Sequence, residues 1–202
     1  MNVALIGATG NAGARILSEL TRRGHEVTAI VRNAEKVPAR PRVTARQGDV
    51  LDQPGLAALL KGHDAVISSV HFTTSDPEKL IGAVRSAGVR RYLVVGGAGS
   101  LEVAPGKKLI DTPEFPAIHK AEAAAGAAFL DRLRQEKELD WTFLSPSAMF
   151  VAGERTGKFR LGSDQLLAHA TGSSISFEDY AIAMVDELER PAHSRARFTV
   201  GY

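Results

Sequence analysis

Three glycines at a spacing of three and three, Gly7, Gly10 and Gly13, close an apolar run, Val3 to Ile6, and open a segment of helical periodicity. That setting suits a turn gripping a diphosphate. Gly7 permits the tight turn, Gly10 lets the backbone approach a pyrophosphate, and Gly13 lets the following helix lie close to the sheet. Thr9, Asn11 and Ala12 fill the same turn, where free N–H groups and the helix macrodipole face an anion. The expected ligand is a nicotinamide dinucleotide, because strand, glycine turn and helix together form the start of a βαβ unit.

Which dinucleotide is expected follows from the end of the second apolar run, Val31-Arg32-Asn33. An NAD site places an acid there for the ribose 2′-hydroxyl. Arg32 instead offers a planar, permanently charged fork to a 2′-phosphate, with Lys36 as a second charge. NADPH is therefore expected, with NADH left open. Asp49 and Val50 follow the third strand, Asp49 reading either as an acceptor for the adenine amino group or as a turn residue capping the next helix. Ser68, Ser69 and Val70 end the fourth. Gly96 and Gly97 end the fifth and Pro146 and Ser147 the sixth, where either pair would flank the nicotinamide. Ser100 and His119 are the candidates for a catalytic group, His119 reading equally well as a surface helix start, and His71 reads either as a group reaching the nicotinamide side or as a structural or solvated histidine. No metal site is expected from the six histidines, which lack paired ligand spacing.

These positions need a parallel sheet to bring them together, and the chain supplies the pattern for one. Val- and Ile-rich runs alternate with helical segments. Strands are predicted at Val3 to Ile6, Val27 to Val31, Val43 to Gln47, Ala65 to Ser69, Tyr92 to Val95 and Trp141 to Leu144, with Arg197 to Val200 closing one edge. Helices are predicted at Ala12 to Arg23, Gly55 to Leu60, Glu78 to Ala87, Ile118 to Glu138 and Phe177 to Glu189. Gly24 and Gly88 suit left-handed helix ends, and Ser176 suits an N-cap. The fold expected is α/β, a doubly wound Rossmann-type parallel sheet with helices on both faces. One domain, 1–202, is expected, with a small substrate-side region around 146–175 that includes the aperiodic stretch from Val151 to Ser174.

Composition narrows the function. The 202 residues are 44% hydrophobic and 24% charged, with a formal net charge of +2 and no cysteine. Ordinary globular composition and mixed charge speak against nucleic-acid or membrane partners, and the lack of cysteine excludes disulfides and thiolate chemistry. No basic leader precedes the first strand, so a cytoplasmic protein is expected. The alanines of the helix from Ile118 suit close packing on the sheet or a homodimer seam.

Taken together, Gly7-Ala-Thr-Gly-Asn-Ala-Gly13, Gly48-Asp49-Val50, the Val94 to Ser100 run, Trp141-Thr-Phe-Leu-Ser-Pro146, Glu154-Arg-Thr-Gly-Lys158, Ile175-Ser-Phe-Glu-Asp-Tyr-Ala181 and Phe198-Thr-Val200 resemble the atypical short-chain dehydrogenase/reductases of the NmrA-like, NADH-flavin reductase-like branch. The resemblance spans essentially the whole chain. It implies an NAD(P)H-dependent oxidoreductase whose partner is a small-molecule hydride acceptor, or else a redox-sensing regulator without turnover. Tyr92, Tyr180 and Tyr202 lack a lysine four positions later, so the Tyr-x-x-x-Lys pair of the wider superfamily is missing. The polar groups that a biliverdin-reducing relative sets beside its nicotinamide fall at Ala98 and Ala148. Carbonyl reduction, sugar epimerisation and biliverdin reduction are therefore disfavoured. A flavin or quinone acceptor is favoured, with FMN or riboflavin as substrate rather than bound cofactor. Glu154, Arg155, Lys158 and Arg160 are either a landing site for a flavin phosphate or a solvated face.

Overall fold

A strand covered by helices on both faces has no wet side, so its residues need not alternate in polarity. The first strand shows this. Val3 and Leu5 point to one face and Ala4 and Ile6 to the other, and all four are buried. The computed structural model describes residues 1–202. In chain order it contains β1 (Asn2–Ile6), α1 (Asn11–Arg22), β2 (Glu26–Val31), β3 (Val43–Gln47), α2 (Gln53–Leu60), β4 (Ala65–Ser68), α3 (Pro77–Ser86) and β5 (Arg91–Val95). Then follow β6 (Glu102–Ala104), β7 (Lys107–Lys108), α4 (Lys120–Arg134), β8 (Asp140–Pro146), β9 (Met149–Val151), β10 (Arg160–Gly162), β11 (Ser174–Ser176), α5 (Phe177–Glu189) and β12 (Ala196–Gly201). Short 3-10 turns lie at Ala34–Lys36, Phe72–Thr74, Leu109–Asp111 and Ala117–His119.

The main sheet runs β3-β2-β1-β4-β5-β8-β12-β10. Seven strands are parallel, and β10 joins antiparallel through Leu161 opposite Val200. The chain winds outward from β1 to β3, then returns to β4 on the other side of β1. That reversal opens a crevice at the carboxyl ends of the strands, where ligands of open α/β sheets bind. On one face α1 and α5 cover the sheet with Ile16, Leu17, Leu20, Tyr180, Met184 and Leu188. On the other, α2, α3 and α4 contribute Leu56, Leu60, Leu80, Val84, Phe129 and Leu133. The fold is the doubly wound Rossmann type. No helix is long and apolar enough to cross a membrane.

Local signals explain most boundaries. Gly24 and Gly88 adopt φ of 84° and 74° after α1 and α3, the left-handed conformation that glycine enters without a Cβ clash. Ser176 Oγ accepts from the Asp179 N–H at the start of α5. Two expectations are corrected. The last strand does not close the edge: β12 lies inside, because the three residues of β10 pair along its outer side. The fourth helix begins at Lys120 and stops at Arg134, because the buried Glu136 carboxylate accepts from the Glu138 N–H, which bends the chain toward β8.

Candidate active site

A cleft of about 930 Å³ lies across the carboxyl ends of the strands. Its centre is the glycine turn, and each glycine there answers a different demand. Gly7 has φ of 82°, and a Cβ on it would stand 2.0 Å from the Ser69 carbonyl oxygen. A Cβ on Gly13 would stand 2.1 Å from the Gly7 carbonyl oxygen, so the first helix presses on its own turn rather than on the sheet. Gly10 differs: a Cβ there would meet only the Gly7 carbonyl oxygen, at 3.5 Å. Its bareness serves the cleft, not the interior. No side chain caps α1, whereas Asp52 and Asp76 cap α2 and α3. The leading N–H groups of α1 thus remain free for an anion.

One arm of the cleft reaches the ends of β2 and β3. Arg32 lines it, exposed and engaged by no carboxylate of the chain. Asp49 and Val50 line it too. The Asp49 carboxylate accepts from the Leu51 N–H at 2.8 Å, which makes it a turn residue at the cleft wall.

The other arm reaches the ends of β4 and β5, where Ser69, Val70, Val95 and Gly96 form the floor. Gly96 is bare because a Cβ would collide with Phe143 at 2.3 Å. One wall is a strap, His71 to Asp76, bound to α4 by Glu122. The Glu122 carboxylate accepts from the N–H groups of Phe72 at 2.7 Å and Thr73 at 3.0 Å, and from the Thr73 hydroxyl at 2.7 Å. Partial burial works to raise its pKa, but these donors and the nearby His71 outweigh it and hold Glu122 below its ordinary value. The opposite wall is aromatic. Phe150 on β9 meets Phe177 at 4.5 Å between ring centroids and Tyr180 at 4.6 Å, and Phe150 and Phe177 line the cleft. Pairing of β9 with β11, register Phe150 to Ile175, places that wall.

Residues 7–191 match a family described as NAD(P)H-binding. The chain belongs to the NAD(P)H-binding family. It is 44% identical to the uncharacterized protein YwnB of Bacillus subtilis (strain 168), over 99% of this chain and 98% of that one. A Bacteroides thetaiotaomicron structure provisionally named an epimerase is 43% identical, with TM-score 0.95 over 100% of this chain and 96% of that one. A Streptococcus pneumoniae TIGR4 structure provisionally named an NADH-flavin reductase is 39% identical, with TM-score 0.86 over 100% of this chain and 99% of that one. The two provisional names imply different chemistry, and the tyrosines bear on the choice. The Tyr92 hydroxyl pairs with Ser68 Oγ at 2.9 Å, Tyr180 donates to the Leu144 carbonyl at 2.6 Å, and Tyr202 lies 2.9 Å from the Asp179 carboxylate. Burial pushes the pKa of all three up. None is a free acid in the cleft.

Within this member of the family, Gly7, Thr9, Gly10, Asn11, Ala12, Arg32, Asp49, Val50, Ser69, Val70 and Gly96 come together along one cleft. Other expected site residues do not. Ser68 is buried against Tyr92. Gly97 lies behind the floor near Phe72. Pro146 ends β8 inside the sheet, and the buried Ser147 hydroxyl donates to the Val200 carbonyl. Ser100 is buried where Arg197 donates to its hydroxyl at 3.1 Å, and His119 is an exposed residue preceding α4. Arg155 turns to the buried Glu19 at 3.0 Å and Arg160 donates to the Ala168 carbonyl, so neither reaches the cleft. The strap, Glu122 and the two phenylalanines are additions from the fold. Their signals were present: Asp76 before Pro77 marks a helix start that leaves the preceding residues as a strap, and Glu122 is the lone acid in the first turns of an alanine-rich helix.

Proposed function

We propose that the chain is an NADPH-dependent reductase that passes hydride to a flavin or quinone-type acceptor, with FMN or riboflavin as substrate. The observation that carries this reading is the pairing in one cleft of a diphosphate cradle with an aromatic wall, Phe150 and Phe177, beside the ends of β4 and β5. The bare Gly10 and the uncapped start of α1 fit a dinucleotide. When bound, NADPH supplies the hydride from its nicotinamide ring.

The chain's own residues then have three tasks. The α1 N–H groups hold the diphosphate. Arg32 holds the 2′-phosphate through charge-assisted hydrogen bonds worth about 1.5–3 kcal/mol. The phenylalanines keep water from one side and offer a flat surface to a conjugated ring, so that positioning carries most of the rate. An aromatic acceptor suits this wall better than a sugar, and the engaged tyrosines favour an acceptor that does not draw its proton from a tyrosine.

The test is NADPH oxidation, followed by loss of the reduced nicotinamide absorbance, with FMN, riboflavin and simple quinones as acceptors. Consumption with at least one is expected. Tight NADPH binding with no consumption would refute the reductase reading in favour of a redox-sensing regulator. Arg32→Ala should weaken NADPH by about ten- to a hundredfold and leave NADH nearly unchanged, and equal losses would refute the NADPH preference.

A further inference from the structure

Reduction of a quinone consumes a proton as well as a hydride, and the three tyrosines and Ser100 are engaged elsewhere. The acceptor arm nonetheless contains one uncommitted ring that can carry a proton. His71 lines the cleft at the start of the strap, with its side chain 83% exposed. Its Nδ1 faces Glu122 Oε1 at 3.5 Å, while Nε2 has no partner within the chain. Glu122 sits on α4, and it grips the two residues after His71 through three hydrogen bonds. The ring is thereby tethered at the β4–β5 side of the cleft, across from Phe150.

The other groups of that wall are occupied or unsuited. Asp76 caps α3 by accepting from the Glu78 and Lys79 N–H groups. The Thr73 hydroxyl donates to Glu122, Thr74 to the His71 carbonyl and Ser75 to the Phe72 carbonyl. Glu122 is an acceptor of three hydrogen bonds, which suits the charged carboxylate rather than a proton source. Serine hydroxyls such as that of Ser69 are far weaker acids than an imidazolium.

From this geometry we infer that His71 is the catalytic proton donor to the acceptor, with Glu122 as the positioning residue that turns Nδ1 inward and Nε2 toward the cleft. The inference rests on the reductase reading above. In the step, one quinone oxygen bonds the Nε2 proton as the ring system takes a hydride from the reduced nicotinamide. The quinone gains two electrons, the nicotinamide loses two, and the N–H bond electrons stay on the imidazole. The exposed ring then regains a proton from water.

An acceptor that needs no proton separates this step from hydride transfer. N-methylacridinium takes hydride alone, so wild type and His71→Gln should reduce it at rates within about twofold of each other, while quinone reduction falls about a hundredfold. The variant should fold and bind NADPH as wild type does, since the side chain is mostly in solvent. In a binding experiment that needs no turnover, the His71 ring resonance should shift on titration with NADP⁺ and stay in place with 2′,5′-ADP, which carries only the adenosine arm. Unchanged quinone reduction in His71→Gln, an equal loss with both acceptors, or a resonance blind to NADP⁺ would each overturn the assignment. If wild type oxidises NADPH with neither acceptor and with neither FMN nor riboflavin, the reductase reading itself fails, whatever the resonance does, and the proton donor falls with it.

Discussion

The two sides of the cleft are held by opposite means. At the glycine turn, backbone meets backbone: Gly7 against the Ser69 carbonyl and Gly13 against the Gly7 carbonyl, with no room for a methyl group at either. Around the acceptor arm, carboxylates hold irregular chain. Glu122 clasps the strap. Glu178 accepts from the Gly153 N–H at 2.9 Å, and the fully buried Asp179 accepts from the Gly157 N–H at 2.8 Å and the Thr156 hydroxyl at 2.5 Å. Glu19 draws in Arg155. Backbone contact of the first kind has one solution and tolerates no variation. A segment held by carboxylates rests instead on side-chain hydrogen bonds, and at Glu122 that hold responds to protonation. The first kind of hold lies at the glycine turn, and the second frames the arm of the cleft at the ends of β4 and β5.

The sharpest way to break this contrast is a methyl group. Gly7→Ala forces a residue to φ of 82° with its Cβ 2.0 Å from an oxygen; strain and overpacking together should cost about 3 kcal/mol or more. For a chain of this length that lowers Tm by roughly 6–12 °C. Gly10→Ala, with φ of −73° and its nearest neighbour at 3.5 Å, should change stability by no more than about 1 kcal/mol. It should nevertheless weaken NADPH about tenfold or more, by crowding the diphosphate. Thermal denaturation and fluorescence titration of both variants check this. Normal binding by Gly10→Ala would sink the cradle, since nothing inside the protein requires that glycine.

The carboxylate side should fail differently. Asp179→Ala removes the acceptor shared by Gly157, Thr156 and Tyr202 and should cost about 2–4 kcal/mol in chemical denaturation. The loosened loop follows directly on β9, so KM for a quinone should rise while the NADPH dissociation constant stays put. An equal loss of NADPH affinity would show that the two sides are one unit.

How much of this was legible in the sequence tracks the same divide. The glycine turn, the capping Ser176 and the left-handed Gly24 and Gly88 are local: each states its conformation through its own residue type and immediate neighbours. The acceptor arm is built by contacts far apart in the chain. Ser100 was a reasonable catalytic candidate until Arg197, 97 residues away, claimed its hydroxyl. Ser68 and Ser69 are adjacent and chemically identical. Strand alternation sends Ser68 inward to Tyr92 while Ser69 lines the cleft, and only the point where β4 ends decides which is which. The clasp between Glu122 and Phe72 spans 50 residues. At three residues β10 is too short for its pattern to declare it, so β12 passed for the edge.

The smallest effect expected is also the most specific to the clasp. Glu122 is held below its ordinary pKa of 4.5 in the folded protein, so its contribution is complete above that pH and is lost as pH falls through the lower folded value. The strap should stay clasped at neutral pH and loosen only in acid. The carboxyl is about a third exposed, and solvent screening keeps the global contribution to about 1 kcal/mol or less. Tm is then a poor reporter, and local hydrogen exchange a good one. The Phe72 and Thr73 amides should lose protection in acid relative to those of β1 and β4, whereas in Glu122→Gln they should be weakly protected at both ends of the pH range. Protection that ignores both acid and the substitution would mean that the strap is held by its apolar anchor alone, with Phe72 against Phe129 and Phe143 at 5.3 and 6.0 Å between ring centroids. The acceptor wall would then be as fixed as the glycine turn it faces.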